Sequence, residues 1–302
     1  MQDLTPLTQT PLTRAAAPAL RAVVCMLLGV VLLALNDALV KSLTQGYPVG
    51  EILFGRGVFV CPWILVFAWR AGGLSALRVV SVKGQALRGL CVIASSFLFV
   101  TGLRYLPLAD AIAVAFTGPL FVTAMAPYAL GERVGWRRRL AVLAGFLGVL
   151  IMARPGAEAM QWALMFPLGA ALCGGTRDLI TRRISRTETT VAVLCVTTLM
   201  VMLAGLATAP FGWAPLRAGD LWVFAASGTL IAGAHYLMIE AFRLGEAALV
   251  VPFKYTSMVW ALLFGFLFFG DLPDAWTLAG AGVVVLAGFY VLRRETRGRR
   301  GR

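Results

Sequence analysis

Long apolar segments dominate the chain and restrict what it can fold into. Three of them, 111–131, 189–216 and 275–292, contain no Asp, Glu, Lys, Arg or His. Each approaches or exceeds the ~20 mostly apolar residues that a helix needs to cross a bilayer. Apolar residues make up 60% of the chain and charged residues only 14%. A water-soluble protein cannot bury that much apolar surface, which excludes a soluble enzyme, a disordered chain and a nucleic-acid-binding protein.

The apolar runs are continuous and do not alternate with a period of two, so they predict helices and not a barrel. The expected fold class is an all-α membrane protein with ten transmembrane helices. A cytoplasmic N-terminal tail, 1–21, precedes the first helix, and a basic tail, 293–302, follows the last. The predicted spans are 22–44, 49–69, 86–104, 108–128, 136–153, 160–182, 189–209, 219–242, 247–269 and 275–292.

The net charge of +13 follows the predicted loops. If the N-terminus is cytoplasmic, most of the 27 Lys and Arg residues fall on the inner side. This is the positive-inside pattern for ten helices with both termini in the cytoplasm. The basic tail then sets the topology and contacts anionic lipid. The expected location is the bacterial inner membrane, with the lipid bilayer and not nucleic acid as partner.

The two halves of the chain resemble each other at a spacing of about 140 residues. Asp37 and Lys41 correspond to Asp178 and Arg182, and Gly-Glu at 131–132 corresponds to Gly-Asp at 270–271. The pattern predicts two five-helix repeats, 22–153 and 160–292. Because five is odd, the second repeat enters the membrane from the opposite side, as in the inverted repeats of secondary transporters.

Several short motifs occur in a characteristic order. They are Leu35-Asn36-Asp37 with Lys41, Pro48-Val49-Gly50-Glu51, Tyr105 to Ala111, Thr117 to Phe121, Leu130 to Arg133, Gly145 to Val149, Pro252 to Tyr255 and Phe269 to Asp274. In this order the chain resembles the ten-helix EamA-type members of the drug/metabolite transporter superfamily. The resemblance implies a bacterial carrier of small metabolites such as amino acids, S-adenosylmethionine or riboflavin-like compounds. One departure is Asp271, where Gly-Glu is commoner.

Two predicted helices contain proline at repeat-equivalent positions, namely Gly118 with Pro119, and Pro252. Proline removes a helical hydrogen bond, and a matched pair of interrupted helices points to a binding site. Lys254 lies in the same segment, at a depth where an ammonium needs a cavity or a partner. We expect Pro119 and Lys254 to belong to the substrate site, the alternatives being a packing kink and snorkelling to headgroups.

Further candidate ligands lie near these segments. Phe116, Tyr255 and Trp260 flank the interrupted helices and can stack on a planar substrate, although packing or lipid contact explains such rings equally well. Arg56 is a candidate ligand for substrate, or it anchors its helix by pairing with Glu51.

Gating or proton coupling has its own candidates. Asp37 and Lys41, and likewise Asp178 and Arg182, are four residues apart and can pair on one helix face. Each pair is either a gate or a self-neutralising pair that eases insertion. His235 is the only histidine, and histidine titrates near neutral pH; the alternative is a hydrogen bond to a neighbouring helix.

The leading hypothesis is a secondary transporter that works by alternating access. It needs no cofactor and no metal, and it takes a small molecule as substrate, with protons as a candidate coupling ion and a monomer or homodimer as the assembly. The alternatives are a membrane-embedded enzyme, which lacks a visible catalytic cluster, and a channel or receptor. The five cysteines lie far apart in apolar segments and show no disulfide or metal pattern.

Overall fold

The computed structural model describes residues 11–130, 136–153, 159–184, 188–244 and 253–300. Every regular element in these ranges is helical. Phe253 and Lys254 are also helical. The α-helices are α1 (Pro11–Leu43), α2 (Val49–Arg70), α3 (Val82–Tyr105), α4 (Leu108–Ala115), α5 (Gly118–Leu130), α6 (Trp136–Ala153), α7 (Met165–Ile184), α8 (Thr190–Leu206), α9 (Leu221–Leu244), α10 (Ser257–Phe269) and α11 (Ala275–Arg300).

The helices follow the apolar segments of the sequence, which makes this a multi-pass membrane protein. Six described helical segments are long and apolar enough to cross a bilayer: Leu20–Leu43, Val49–Arg70, Val82–Tyr105, Leu108–Met125, Thr190–Phe211 and Ala218–Met238. Shorter apolar helices cover Arg139–Met152, Ser257–Phe269 and Ala275–Tyr290. Two helices are longer than expected, because α1 begins at Pro11 and α11 continues to Arg300. Residues 247–252 of the ninth predicted span lie outside the described residues.

The fourth predicted span is broken into α4 and α5 at Phe116 and Thr117. Pro119 has no N–H to donate to the preceding turn, which favours this break. The Thr117 hydroxyl donates to the carbonyl of Val114 at 2.7 Å and occupies an acceptor at the end of α4. The break expected near Gly118 and Pro119 is therefore confirmed.

A second break separates Lys254 from α10 and falls on Tyr255 and Thr256, the repeat counterparts of Phe116 and Thr117. The Thr256 hydroxyl donates to the carbonyl of Phe253 at 2.6 Å, as Thr117 does to Val114. The backbone N–H of each threonine donates to the same carbonyl as its hydroxyl. The two breaks thus share one local structure.

Helices at equivalent places in the two halves pack against each other in opposite directions. On α2 and α8, Gly50 approaches Thr208, and Gly57, further along α2, approaches Met202, earlier on α8. On α6 and α11, Gly148 meets Gly280, and a Cβ added to Gly280 would lie 2.5 Å from the Gly148 carbonyl oxygen. Small residues thus permit close antiparallel contact between repeat-equivalent helices.

Two further helix pairs are also antiparallel. α1 packs along α9 and its counterpart α7 packs along α3, both antiparallel: Gly29 lies against Met238, and Gly102 lies against Pro167. The most extensive helix contacts in the described residues all join one half to the other. The interface between the halves is therefore the main interface of the molecule.

The two ends of the bundle are packed differently. At the end where α1 finishes, which we call the packed end, one large core joins Leu43, Leu103, Leu108 and Phe224. At the opposite end, which we call the split end, the buried apolar residues form small separate clusters. One joins α1 to α9 at Ala22–Val30 and Ala241, another joins α2 to α8 and α9 around Ile64, and a third joins α5, α6 and α11 around Leu120.

Candidate functional site

An ion pair joins the two halves at the packed end. The Lys41 ammonium donates to Asp271 Oδ2 at 2.7 Å and to the Leu106 carbonyl at 3.0 Å. It also lies 4.7 Å from the centre of the Phe269 ring. The expected pairing of Lys41 with Asp37 is therefore wrong, because Lys41 turns toward the end of α10 and away from its own helix face.

Loop contacts reinforce this end. The Tyr47 hydroxyl donates to Asp220 at 2.7 Å and accepts from the Arg217 N–H, and its burial raises the pKa of the phenol. Glu51 accepts a hydrogen bond from the Ala214 N–H at 2.9 Å. The expected pair between Glu51 and Arg56 is wrong, since the Glu51 carboxylate binds loop backbone.

Asp37 belongs to a polar group further from the packed end. Asn36 donates to Asp37 Oδ1 at 3.0 Å and accepts from the buried Ser227 hydroxyl at 2.7 Å, which ties α1 to α9. Arg56 on α2 interacts electrostatically with Asp37. The carboxylate of Asp37 thus offsets part of the charge of Arg56, as a charge inside a membrane requires.

The counterpart group at the split end is built from arginines. Arg177 donates to the neighbouring Asp178 Oδ1 at 2.9 Å, just as Asn36 donates to Asp37. The expected partner of Asp178 was Arg182, whose side chain lies outside the described part of the structure. Arg88 on α3 donates to the hydroxyls of Thr181 and Thr197.

His235 and Lys254 complete this polar region. His235 interacts with Arg56, Arg88, Arg177 and Lys254, which come from four other segments. Its side chain is exposed. Lys254 interacts in turn with Asp178 and Arg177. We call Arg56, Arg88, Arg177, His235 and Lys254 the basic cluster.

The two helix breaks meet through their aromatic rings. The rings of Phe116 and Tyr255 lie 5.0 Å apart, and Tyr255 also contacts Phe289 on α11 at 6.3 Å. The Tyr255 hydroxyl is buried without a hydrogen-bond partner among the described residues. It lies over Gly288, where an added Cβ would be 2.2 Å away. Pro119 is half-buried just after the first break.

Trp260 lies apart from this aromatic contact. It packs against the cluster of Ala22, Met26 and Ala241 between α1 and α9, and it stacks on Phe264 at 6.0 Å. The structure thus brings together Phe116, Tyr255 and the segment of Lys254, and it does not bring Trp260 to them. Pro252 lies outside the described residues.

Sequence reasoning missed two members of the basic cluster. Arg88 and Arg177 fall inside predicted spans but were counted only among the basic residues of the inner side, whereas on α3 and α7 they contribute to the interior polar region. Arg177 has a threonine one turn further along its helix, Thr181, but Arg88 has none within two turns, because its acceptors Thr181 and Thr197 lie on other helices. The positive-inside rule does not distinguish them, because it counts the basic residues on each side of the membrane and not the direction in which each side chain points.

The fold and this site define a class: a helical membrane transporter with two related halves and charged groups between them. The chain belongs to the EamA-like transporter family, which matches it twice, over residues 20–154 and 161–293. The expected family is thereby confirmed, and the protein is a transporter and not an enzyme.

Named relatives extend over nearly the whole chain. A riboflavin transporter of Rhizobium johnstonii is 31% identical over 293 residues, covering 96% of each protein. An S-adenosylmethionine uptake transporter of Rickettsia prowazekii is 24% identical and covers 89% of this chain and 91% of its own. A pseudopaline exporter of Pseudomonas aeruginosa is 26% identical, covering 87% and 92%. A protein of known crystal structure shares the fold, with a TM-score of 0.64, 21% identity and coverage of 92% and 97%.

Proposed function

We propose that the protein is a secondary carrier of a small metabolite that works by alternating access between two inverted five-helix repeats. The observation that carries this proposal is the antiparallel packing of equivalent helices, α2 with α8 and α6 with α11. Two copies of one unit can pack their equivalent helices in opposite directions only if one copy is inverted. Ten membrane crossings follow if α4 and α5 together form one span and α10 belongs to the ninth predicted span, 247–269.

The difference between the two ends supports the alternating mechanism. One continuous core and the Lys41–Asp271 pair close the packed end, whereas the split end has separate apolar clusters around charged residues. A pseudo-symmetric molecule that is closed at one end can exchange the conformations of its halves and close the other. The described state is then open at the split end, and Lys41 with Asp271 forms the gate of the packed end.

Charge distribution assigns the ends to the two sides of the membrane. The first turns of α3, the last turns of α7 and the end of α11 carry many of the basic residues and point to the side of the split end. By the positive-inside rule, this side is the cytoplasm of a bacterial cell, and both chain termini lie there. The described conformation is therefore inward-open.

The relatives suggest the cargo to test first. The names of two of them refer to uptake or transport of riboflavin and S-adenosylmethionine, and a third name refers to export. Riboflavin is the first candidate because the relative that carries its name is 31% identical over 96% of the chain. His235, Asp37 and Asp178 are the groups available for proton coupling.

Counterflow in proteoliposomes tests the proposal. Vesicles loaded with unlabelled riboflavin are diluted into a trace of labelled riboflavin, and the same assay is repeated with S-adenosylmethionine. A carrier exchanges one molecule for another, so label accumulates transiently above its equilibrium level. Entry of label to equilibrium without an overshoot identifies a channel and contradicts alternating access.

The substrate site has a matched test in the same assay. Lys254→Ala should abolish counterflow while the protein still inserts and purifies normally, because the ammonium belongs to the site between the halves. Lys83→Ala is the control, since Lys83 is exposed at the start of α3. Normal counterflow by the Lys254 variant would remove this residue from the substrate site.

A further inference from the structure

We propose that the basic cluster binds an organic anion, and that Arg88, Arg177 and Lys254 hold its carboxylate or phosphate group. The inference rests on the proposed carrier function and specifies the charge of the cargo, which the family and the named relatives leave open. It is carried by three independent features of the region: an excess of positive charge, a departure from the two-fold symmetry, and the place of Lys254 at a helix break.

The charges of the region do not balance. Arg56, Arg88, Arg177 and Lys254 face two carboxylates, Asp37 and Asp178. Arg177 already bonds to Asp178, and Arg56 interacts with Asp37. Glu240, further along α9, has an interaction of its own. Among the described residues, Arg177 is the only one of these four cations with a carboxylate within 4 Å.

An uncompensated charge inside the bilayer is costly. Arg88 reduces that cost with two threonine hydroxyls, but hydroxyl dipoles do not cancel its charge. A bound anion would cancel it and would form charge-assisted hydrogen bonds with the guanidinium. The region is therefore better suited to a ligand of opposite charge than to a neutral or cationic one.

Comparison of the two halves strengthens the argument. Arg177 and Arg88 are the repeat counterparts of Asn36 and Ser227, which are joined by a 2.7 Å hydrogen bond nearer the packed end. At the split end this neutral hydrogen bond is replaced by two cations that repel each other. Closing the split end by the symmetric motion would bring these guanidiniums together. An anion between them removes the repulsion and so permits closure.

Lys254 places the anion next to an aromatic surface. It directly precedes the break at Tyr255, whose ring contacts Phe116 at the break of the other half. Broken helices in carriers expose backbone groups and side chains to the substrate. A ligand with an acidic group and a planar part would contact Lys254 and the two rings at once.

Two probes with the same ring system isolate the charge: flavin mononucleotide carries a phosphate that riboflavin lacks. Binding to the purified full-length protein in lipid nanodiscs is measured by equilibrium titration for both. We expect flavin mononucleotide to bind at least about tenfold more tightly, since one hydrogen bond between charged groups contributes that much. Lys254→Gln and Arg88→Gln should each weaken the binding of flavin mononucleotide at least about tenfold more than they weaken the binding of riboflavin.

The control variants are Lys83→Gln and Arg70→Gln, which make the same changes at exposed positions and should leave both affinities unchanged. Equal affinities for the two flavins, no binding of flavin mononucleotide, or insensitivity of its binding to both cluster variants would overturn the anion site. A charge-dependent site without counterflow would instead refute the carrier function and leave the anion site standing. Melting curves of each variant show whether it is folded.

Discussion

The ion pair at the packed end allows a quantitative prediction. Asp271→Asn removes the negative charge opposite the Lys41 ammonium, which keeps only neutral partners, among them the Leu106 carbonyl and the Phe269 ring. The Lys41 side chain is 12% exposed and that of Asp271 is 31% exposed. A hydrogen bond between charged groups contributes about 1.5–3 kcal/mol, and the exposure of Asp271 favours the lower value. About 1.5 kcal/mol corresponds to a roughly tenfold rise in the population that is open at this end.

Cysteine labelling measures this population. In a cysteine-free background, Ala109→Cys places a reporter at a residue that is 4% exposed in the packed core. Its maleimide labelling should be about tenfold faster in Asp271→Asn. Glu188→Gln is the matched control, because it removes a carboxylate that accepts backbone N–H bonds at the opposite end of the bundle. Unchanged labelling in Asp271→Asn, or an equal increase in the control, would refute the gate.

Two further predictions concern stability. Gly280→Ala puts a methyl group 2.5 Å from the Gly148 carbonyl oxygen and should lower the free energy of unfolding by about 1–3 kcal/mol. Gly282→Ala is the control, because a Cβ there meets nothing within 4 Å. Equal melting temperatures of the two variants would contradict the close helix contact. Tyr47→Phe removes the hydrogen bonds to Asp220 and to the Arg217 N–H and should cost about 1 kcal/mol, so an unchanged melting temperature would show that this tether adds nothing.

Much of the fold follows from local sequence rules. Apolar length predicts α2, α3 and α8 to within a few residues, because a helix in lipid must satisfy its own backbone hydrogen bonds. Proline chemistry predicts the break before Pro119. The second break occurs without a proline at the break itself, and the sequence locates it only through the spacing of the repeat.

The partners of the charged residues could not be predicted in the same way. A spacing of four residues suggests Asp37 with Lys41, yet Lys41 binds Asp271, 230 residues away. Local spacing shows which groups can meet on one helix, whereas the packing of the helices decides which groups do meet. The same limit explains why Glu51 was paired with Arg56, and why Arg88 was not recognised as part of the site.

Arg88 and Arg177 near the split end occupy the places that Ser227 and Asn36 occupy nearer the packed end, and this difference affects how the protein divides its time between its two forms. A backbone that is nearly symmetric would make both forms equally populated if the side chains were symmetric too. Like charges near only one end make the empty protein rest with that end open. Ligand arriving from either side of the membrane therefore meets unequal populations of receptive molecules, and half-saturating concentrations measured from the two sides should differ even when no energy source is present.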